Sequence, residues 1–194
     1  MVINNIFQTP VFSFNVINDN NSLISYIEEC SKNKGRVLSN VGGWQSNDIV
    51  HDDMYRPLFK NISNEMIKLK EILKLKVNKK LVIDSAWSNI NYYKDFNKTH
   101  WHPKAFLSGV YYIKAPENCG NIEFEHPGLD CMYGCDWEID NFEDNETNTL
   151  MSKTWIMPAK ENILYIFPAW LKHSVTSNLS NEKRISLAFN TSII

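Results

Sequence analysis

A chain of 194 residues that is 43% hydrophobic and 22% charged can bury one large core, so a single domain over residues 1–194 is expected. A formal net charge of −2 with no basic block gives no footing for a nucleic acid, and no apolar run is long enough to span a bilayer. The opening Met1-Val2-Ile3-Asn4-Asn5-Ile6-Phe7-Gln8-Thr9-Pro10 lacks the basic start and unbroken apolar run of a signal peptide, which points to the cytoplasm and to reduced thiols for the 4 cysteines.

Leu23, Ile24, Ile27 and Cys30 follow a cluster of Asn and Ser able to cap a helix, and their spacing marks one apolar face. That gives a first helix ending before Gly35. Tyr55, Leu58, Phe59, Ile62, Met66, Leu69 and Ile72 keep the same period, with Asp53 as the cap and Pro57 tolerated only near the start. The part up to about residue 80 therefore reads as helical, and both helices are expected to cover the outside of a sheet.

From Leu81 the runs become short, β-branched and aromatic, separated by Asn, Gly, Pro and Asp. The predicted strands are Leu81 to Tyr93, Phe106 to Ile113, Asn121 to Glu125, Thr154 to Met157, Asn162 to Phe167, Ser174 to Thr176 and Arg184 to Thr191. Many short strands without intervening helices indicate an antiparallel sandwich or barrel, hence a mainly β (α+β) fold. The acidic, Asn-rich stretch Asp136 to Asn148 has no period and reads either as a loop or lid near a barrel mouth or as a disordered insertion. Cys119, Cys131 and Cys135 surround His126, but the spacing is not the paired CxxC form of zinc modules, so free cysteines are expected there. Some of the 6 tryptophans are expected to line a pocket rather than fill the core.

The chemistry concentrates in Lys98-Thr99-His100-Trp101-His102-Pro103. Imidazoles at i and i+2 converge only on an extended backbone, and Pro103 pushes His102 towards one. The pair looks like half of a metal site, and imidazole suits Fe, Zn, Cu and Ni alike. His173 follows the apolar run Ile163 to Phe167 and the segment Pro168 to Lys172. In Arg184-Ile185-Ser186-Leu187-Ala188-Phe189, alternation puts Arg184 and Ser186 on one face and Ile185, Leu187 and Phe189 on the other. An inward arginine needs an anion, and a guanidinium beside a hydroxyl suits one carboxylate. A salt bridge to one of the protein's own acidic residues is the alternative. Further upstream, Trp87, Asn89, Asn91 and Tyr93 share one parity.

The ordered set of HxH, a long interval, a histidine and then RxS resembles the iron(II)- and 2-oxoglutarate-dependent oxygenases. The resemblance is closest to a branch frequent in marine bacteria and their phages. It is carried by Ile6-Phe7-Gln8-Thr9-Pro10-Val11, by Gly42-Gly43-Trp44-Gln45-Ser46, by HWHP with Leu107-Ser108-Gly109-Val110-Tyr111-Tyr112, and by Phe167 to Val175, so it covers nearly the whole chain. It implies a double-stranded β-helix (jelly roll) over about residues 81–194, behind covering helices, in a cytoplasm that would be the host's for a phage-encoded chain.

The resemblance also implies Fe(II) as the metal and 2-oxoglutarate as the co-substrate. His100 and His173 match the family's two iron-binding histidines, Arg184 its arginine for the far carboxylate, and Ser186 the hydroxyl partner. In the family, the strand before the first histidine often offers Tyr or Asn to the co-substrate, which nominates Asn89, Asn91 and Tyr93. His102 stands where the family carries a carboxylate. Either His102 completes the metal set with His100 and His173, or Glu123 or Glu125 does so with His102 turned aside. The implied activity is hydroxylation of a small-molecule or peptide substrate with formation of succinate and CO2, in a homodimer. Its catalytic set would be His100, His102, His173 and Arg184. Two alternatives stand beside it: a β-helix binding module without turnover, and a three-His cupin-like metal enzyme that has no use for an RxS clamp.

Overall fold

Alternation along the long strands decides the architecture. In β11 (Arg184–Ile193), Ile185, Leu187 and Phe189 are fully buried in one apolar cluster, while Arg184, Ser186 and Ala188 line a cavity on the opposite face. The same division runs through β4 (Leu81–Asn91), β6 (Leu107–Lys114) and β9 (Ile163–Pro168). Ile90, Tyr111, Leu164 and Ile166 join the first cluster, and Val110, Tyr112, Tyr165 and Phe167 form a second, inner one with Ile122, Phe124 and Leu171. The close approach of β11 and β6 leaves no room for a side chain at Gly109, where a Cβ would lie 2.3 Å from the Phe189 ring.

A computed structural model describes residues 1–2, 4, 6–132 and 152–194, so the stretch Asp136 to Asn148 and Cys135 lie outside the described residues. With β1 (Phe12–Asn15) and β3 (Trp44–Gln45), the strands above form a six-stranded sheet in the order β1-β9-β6-β11-β4-β3. The second sheet has five strands: β2 (Asn40–Val41), β5 (Phe96–His100), β7 (Asn121–Glu125), β8 (Thr154–Pro158) and β10 (His173–Val175). Their order is β2-β5-β10-β7-β8. The pairings in both sheets are antiparallel, and the inner cluster draws on both, which makes this a jelly roll.

Helices α1 (Asn20–Cys30) and α2 (Arg56–Ile72) lie on the outer face of the six-stranded sheet. They bury Leu23 and Ile27, and Leu58, Ile62, Met66 and Leu69, against it. Pro57 sits in the first turn of α2, where no intrahelical donor is lost. A short 3₁₀ turn (Asp53–Tyr55) leads into α2, and its cap is Asp52 rather than Asp53. The Asp52 carboxylate accepts from the Met54 amide at 3.0 Å and from the Tyr26 hydroxyl at 2.8 Å, which fixes it, while Asp53 turns outward to Arg56. The first 80 residues thus also supply three strands that the helical reading did not anticipate, and β5 is a fourth. No helix among the described residues is long and apolar enough to cross a membrane.

Candidate active site

His100 closes β5 and stands directly opposite His173, the first residue of β10. Residues opposite each other in an antiparallel pair share a face, and here the ring centroids are 4.4 Å apart. His102 lies past the end of β5, but its amide donates to the Ala169 carbonyl at 2.9 Å, and the Ala169 amide donates back to Phe106 at 3.2 Å. That tether brings the His102 ring to 5.1 Å from His100 and 5.2 Å from His173. Trp87 stacks against His102, centroid to centroid 5.6 Å. The ligand nitrogens of the three histidines all lie within 4.8 Å of one another, and no other such group of His, Cys, Asp and Glu occurs among the described residues.

Backbone carbonyls orient two of the rings. His100 Nδ1 donates to the Lys98 carbonyl at 2.7 Å and His173 Nδ1 to the Leu171 carbonyl at 2.9 Å. A carbonyl only accepts, so the proton sits on Nδ1 and Nε2 keeps its lone pair for a metal. Burial lowers the proton affinity of all three, His102 to about 4 and His173 to about 3, with the neighbouring His100 as the next cause for both. Three neutral imidazoles at neutral pH are what a divalent cation requires.

The same shifts set a pH dependence. Below the ordinary value of 6.5 the unfolded chain takes up protons that folded His102 and His173 refuse, so stability is complete above about pH 6.5 and falls as pH drops towards 4 and then 3. Between pH 6.5 and pH 5 each ring contributes roughly 2 kcal/mol at most to that fall. Thermal melts of the metal-free protein should show a lower Tm at pH 5 than at pH 7, and His173→Gln should flatten the slope.

Neither carboxylate alternative enters the cluster. Phe124 is opposite His173 in the β7–β10 pairing, with ring centroids 6.2 Å apart, and Glu123 is opposite Ser174. Phe124 faces the histidines, so alternation turns Glu123 and Glu125 to the other face of β7. Among the described residues neither His126 nor Cys131 belongs to such a group, and Cys119 is a buried free thiol.

Behind the histidines a narrow cavity of about 50 Å³ is lined by Asn89, Asn91, Tyr112, Arg184 and Ser186. Arg184 is 1% exposed, and its Nη1 donates to the carbonyls of Cys119 and Thr176. Its Nη2 is buried without a partner, as are Tyr112 Oη and Asn89 Oδ1. An internal salt bridge, the alternative raised by the sequence, is therefore not what Arg184 makes among the described residues. Leaving a buried polar group unpaired costs about 1–3 kcal/mol, so three lining one cavity mark a place built for a polar ligand. Burial pushes the Tyr112 phenol well above its ordinary range, although Arg184 pulls the other way, so it remains an O–H donor beside the guanidinium. The guanidinium Nη2 and the phenol are two donors that suit a carboxylate, whereas Asn89 Oδ1 only accepts and calls for a donor of its own.

Tyr112 was not nominated from the sequence, and the signal was available: it shares a parity with Val110 inside a strand whose intervening Tyr111 faces the helices. Tyr93 is the opposite case. It is 54% exposed and outside the cavity, because β4 ends at Asn91. Asp95 Oδ2 takes the Tyr92 amide at 2.7 Å and Lys94 turns the chain at φ 71°, so strand parity no longer applies at residue 93. Asn89 and Asn91 lie where the alternation put them.

Gly120, at φ 85°, leaves the room the arginine occupies. A Cβ there would lie 2.8 Å from Arg184 Nη1 and 2.4 Å from the Thr176 carbonyl. Gly120→Ala should destabilise the protein by about 1–3 kcal/mol and weaken dicarboxylate binding in the cavity, both read from melts with and without ligand.

The model of the family described as "Putative 2OG-Fe(II) oxygenase" matches residues 85–190, more than half of the chain. The chain belongs to this family. Solved structures agree on the fold. The chain superposes with a TM-score of 0.65 on the non-heme alpha-ketoglutarate-dependent carbocyclase SnoK from nogalamycin biosynthesis, at 11% identity over 94% of this chain and 79% of that one. The viral collagen prolyl hydroxylase vCPH from Paramecium Bursaria Chlorella virus-1 gives 0.58 at 13% identity, over 93% and 94% of the two chains. HygX from Streptomyces hygroscopicus, solved with nickel, 2-oxoglutarate and hygromycin B, gives 0.58 at 9%, over 95% and 83%. Comparison with curated protein sequences gives no match. The residues present fit the family's two cofactors: three convergent imidazoles for the metal, and the partnerless Arg184 Nη2 and Tyr112 hydroxyl for a carboxylate.

Proposed function

We propose that this oxygenase is a hydroxylase that converts 2-oxoglutarate to succinate and CO2, with Fe(II) held by His100, His102 and His173. The far carboxylate of 2-oxoglutarate is held by Arg184, Ser186 and Tyr112, with Asn89 and Asn91 beside it. The observation that carries this reading is the pair of buried, partnerless donors Arg184 Nη2 and Tyr112 Oη in one cavity that ends at the three histidines.

The iron and the keto acid supply the oxidising chemistry when bound, and the chain's residues supply position and dryness. Arg184 and Tyr112 fix the dicarboxylate at its far end. Phe167, Val110 and Ile122 wall the cavity with apolar surface that keeps water out. Trp87, packed on His102, holds the one histidine that no strand constrains. Three neutral imidazoles leave the centre one unit more positive than two histidines and a carboxylate would. Hydroxylation is the outcome that asks least of the chain, since no further group has to be placed.

Anaerobic titration of the Fe(II)-loaded protein with 2-oxoglutarate should give the visible charge-transfer band of a chelated keto acid, followed by succinate when air is admitted. Absence of both would favour a binding module or a three-His enzyme that ignores 2-oxoglutarate. Tyr112→Phe should weaken 2-oxoglutarate binding about 5- to 30-fold by calorimetry without lowering the Tm of the free protein, because the hydroxyl it removes has no protein partner.

A further inference from the structure

The three histidines separate two spaces of different character. Inward lies the narrow cavity of Arg184; outward lies a groove of about 710 Å³, and His100, His102, Trp87 and Ser39 line both. The volume of the groove is that of a small-molecule site.

Its charge is one-sided. Arg36 and Lys98 line it, and neither forms an ion pair among the described residues. Lys98 is two residues before His100 on β5, so both side chains leave the same face of the strand. Among the described residues Asp48 is the one carboxylate in the lining, and its Oδ1 already accepts from the amides of Val50 at 3.0 Å and Ala86 at 3.2 Å. The metal set adds no carboxylate either, because His102 stands in that position. Besides the cations the groove's lining includes the flat apolar surface of Trp87 and of Trp101, which is 54% exposed, and a 63% exposed Leu38.

We infer that the substrate is a small organic anion, with a carboxylate or phosphate seated on Arg36 and Lys98 and a planar apolar body lying along Trp101 and Trp87 towards the histidines. A guanidinium grips either anion through paired N–H groups and an ammonium adds a point charge, while the indoles bind a ring face on. This assignment rests on the oxygenase reading for the word substrate, but the binding it describes does not need turnover.

The test uses probes with one ring system and different charge: 1-naphthylacetate, 1-naphthyl phosphate and 1-naphthylmethylamine. Each is titrated calorimetrically into the full chain without added iron, at saturating 2-oxoglutarate so that the Arg184 cavity is not the site read. The two anions should bind at least about tenfold tighter than the amine and weaken as salt rises. An Arg36→Ala, Lys98→Ala double variant, altered only at exposed positions and checked for an unchanged Tm, should lose that preference. Tighter binding of the phosphate or of the carboxylate names the anion, and either supports the assignment. Equal or tighter binding of the amine, or a preference that survives in the double variant, overturns it. Anion preference without a charge-transfer band would sink the oxygenase reading and leave the groove's chemistry standing; a band without anion preference would do the reverse.

Discussion

Arg184→Ala is expected to abolish 2-oxoglutarate turnover while the protein still takes up iron. The guanidinium is 1% exposed, so its removal leaves a bound carboxylate facing the Tyr112 phenol and the Ser186 hydroxyl with no cation. Truncating one partner of a buried, hydrogen-bonded charge pair costs about 2–5 kcal/mol, which is roughly 30- to several-thousand-fold in affinity. Some of the effect will fall on folding, because the carbonyls of Cys119 and Thr176 lose their donor. Arg184→Lys separates the two: it keeps a charge and loses the paired N–H groups, so weaker binding in a protein that melts near the parent places the loss in recognition. Calorimetry with 2-oxoglutarate and a metal assay on the same samples decide the matter, and unchanged turnover in Arg184→Ala would remove the co-substrate from this cavity.

His173→Ala should abolish tight Fe(II) binding, by at least about 100-fold, and His100→Ala should do the same. Both rings are aimed by a backbone carbonyl and face each other across paired strands, so no neighbour can replace either. His102→Asp should behave differently. Its position comes from the Ala169 tether and the Trp87 stack rather than from a strand, and a carboxylate there would convert the set to two His and one carboxylate while removing one unit of positive charge. Metal titration should therefore show binding retained in His102→Asp. Retention in His173→Ala would refute the three-histidine centre.

Much of this site was legible in the sequence because period-2 alternation is a local rule. Arg184 and Ser186 point into the cavity and Ile185, Leu187 and Phe189 away from it, as one strand dictates whatever surrounds it. The convergence of His100 and His102 was expected from the same rule, but β5 ends at His100, and it is the His102 hydrogen bond to Ala169 and the Trp87 stack that bring the second ring in. What was missed depends on partners far away in the chain. β2 and β3 are two residues each, and β5 reads Phe-Asn-Lys-Thr-His with no apolar face, because its side chains border the groove and the outside rather than a core. Such strands exist through their ladder bonds to neighbours, which composition does not announce. The choice among His102, Glu123 and Glu125 was also non-local: it turned on the pairing of Phe124 with His173.

Ala169 hands one hydrogen bond to Phe106 and receives another from His102, one residue past the end of β9 and four before His173. The peptide that leads to the distal histidine is thereby fastened to the one that presents the proximal pair. The ligands are gathered by the backbone itself, as a preorganised chelate, so acquiring a metal need not be coupled to folding. An apoprotein of this design can wait, lose its ion to a chelator and be reloaded, without the collapse that metal loss brings to a domain whose ligands are held together only by the ion.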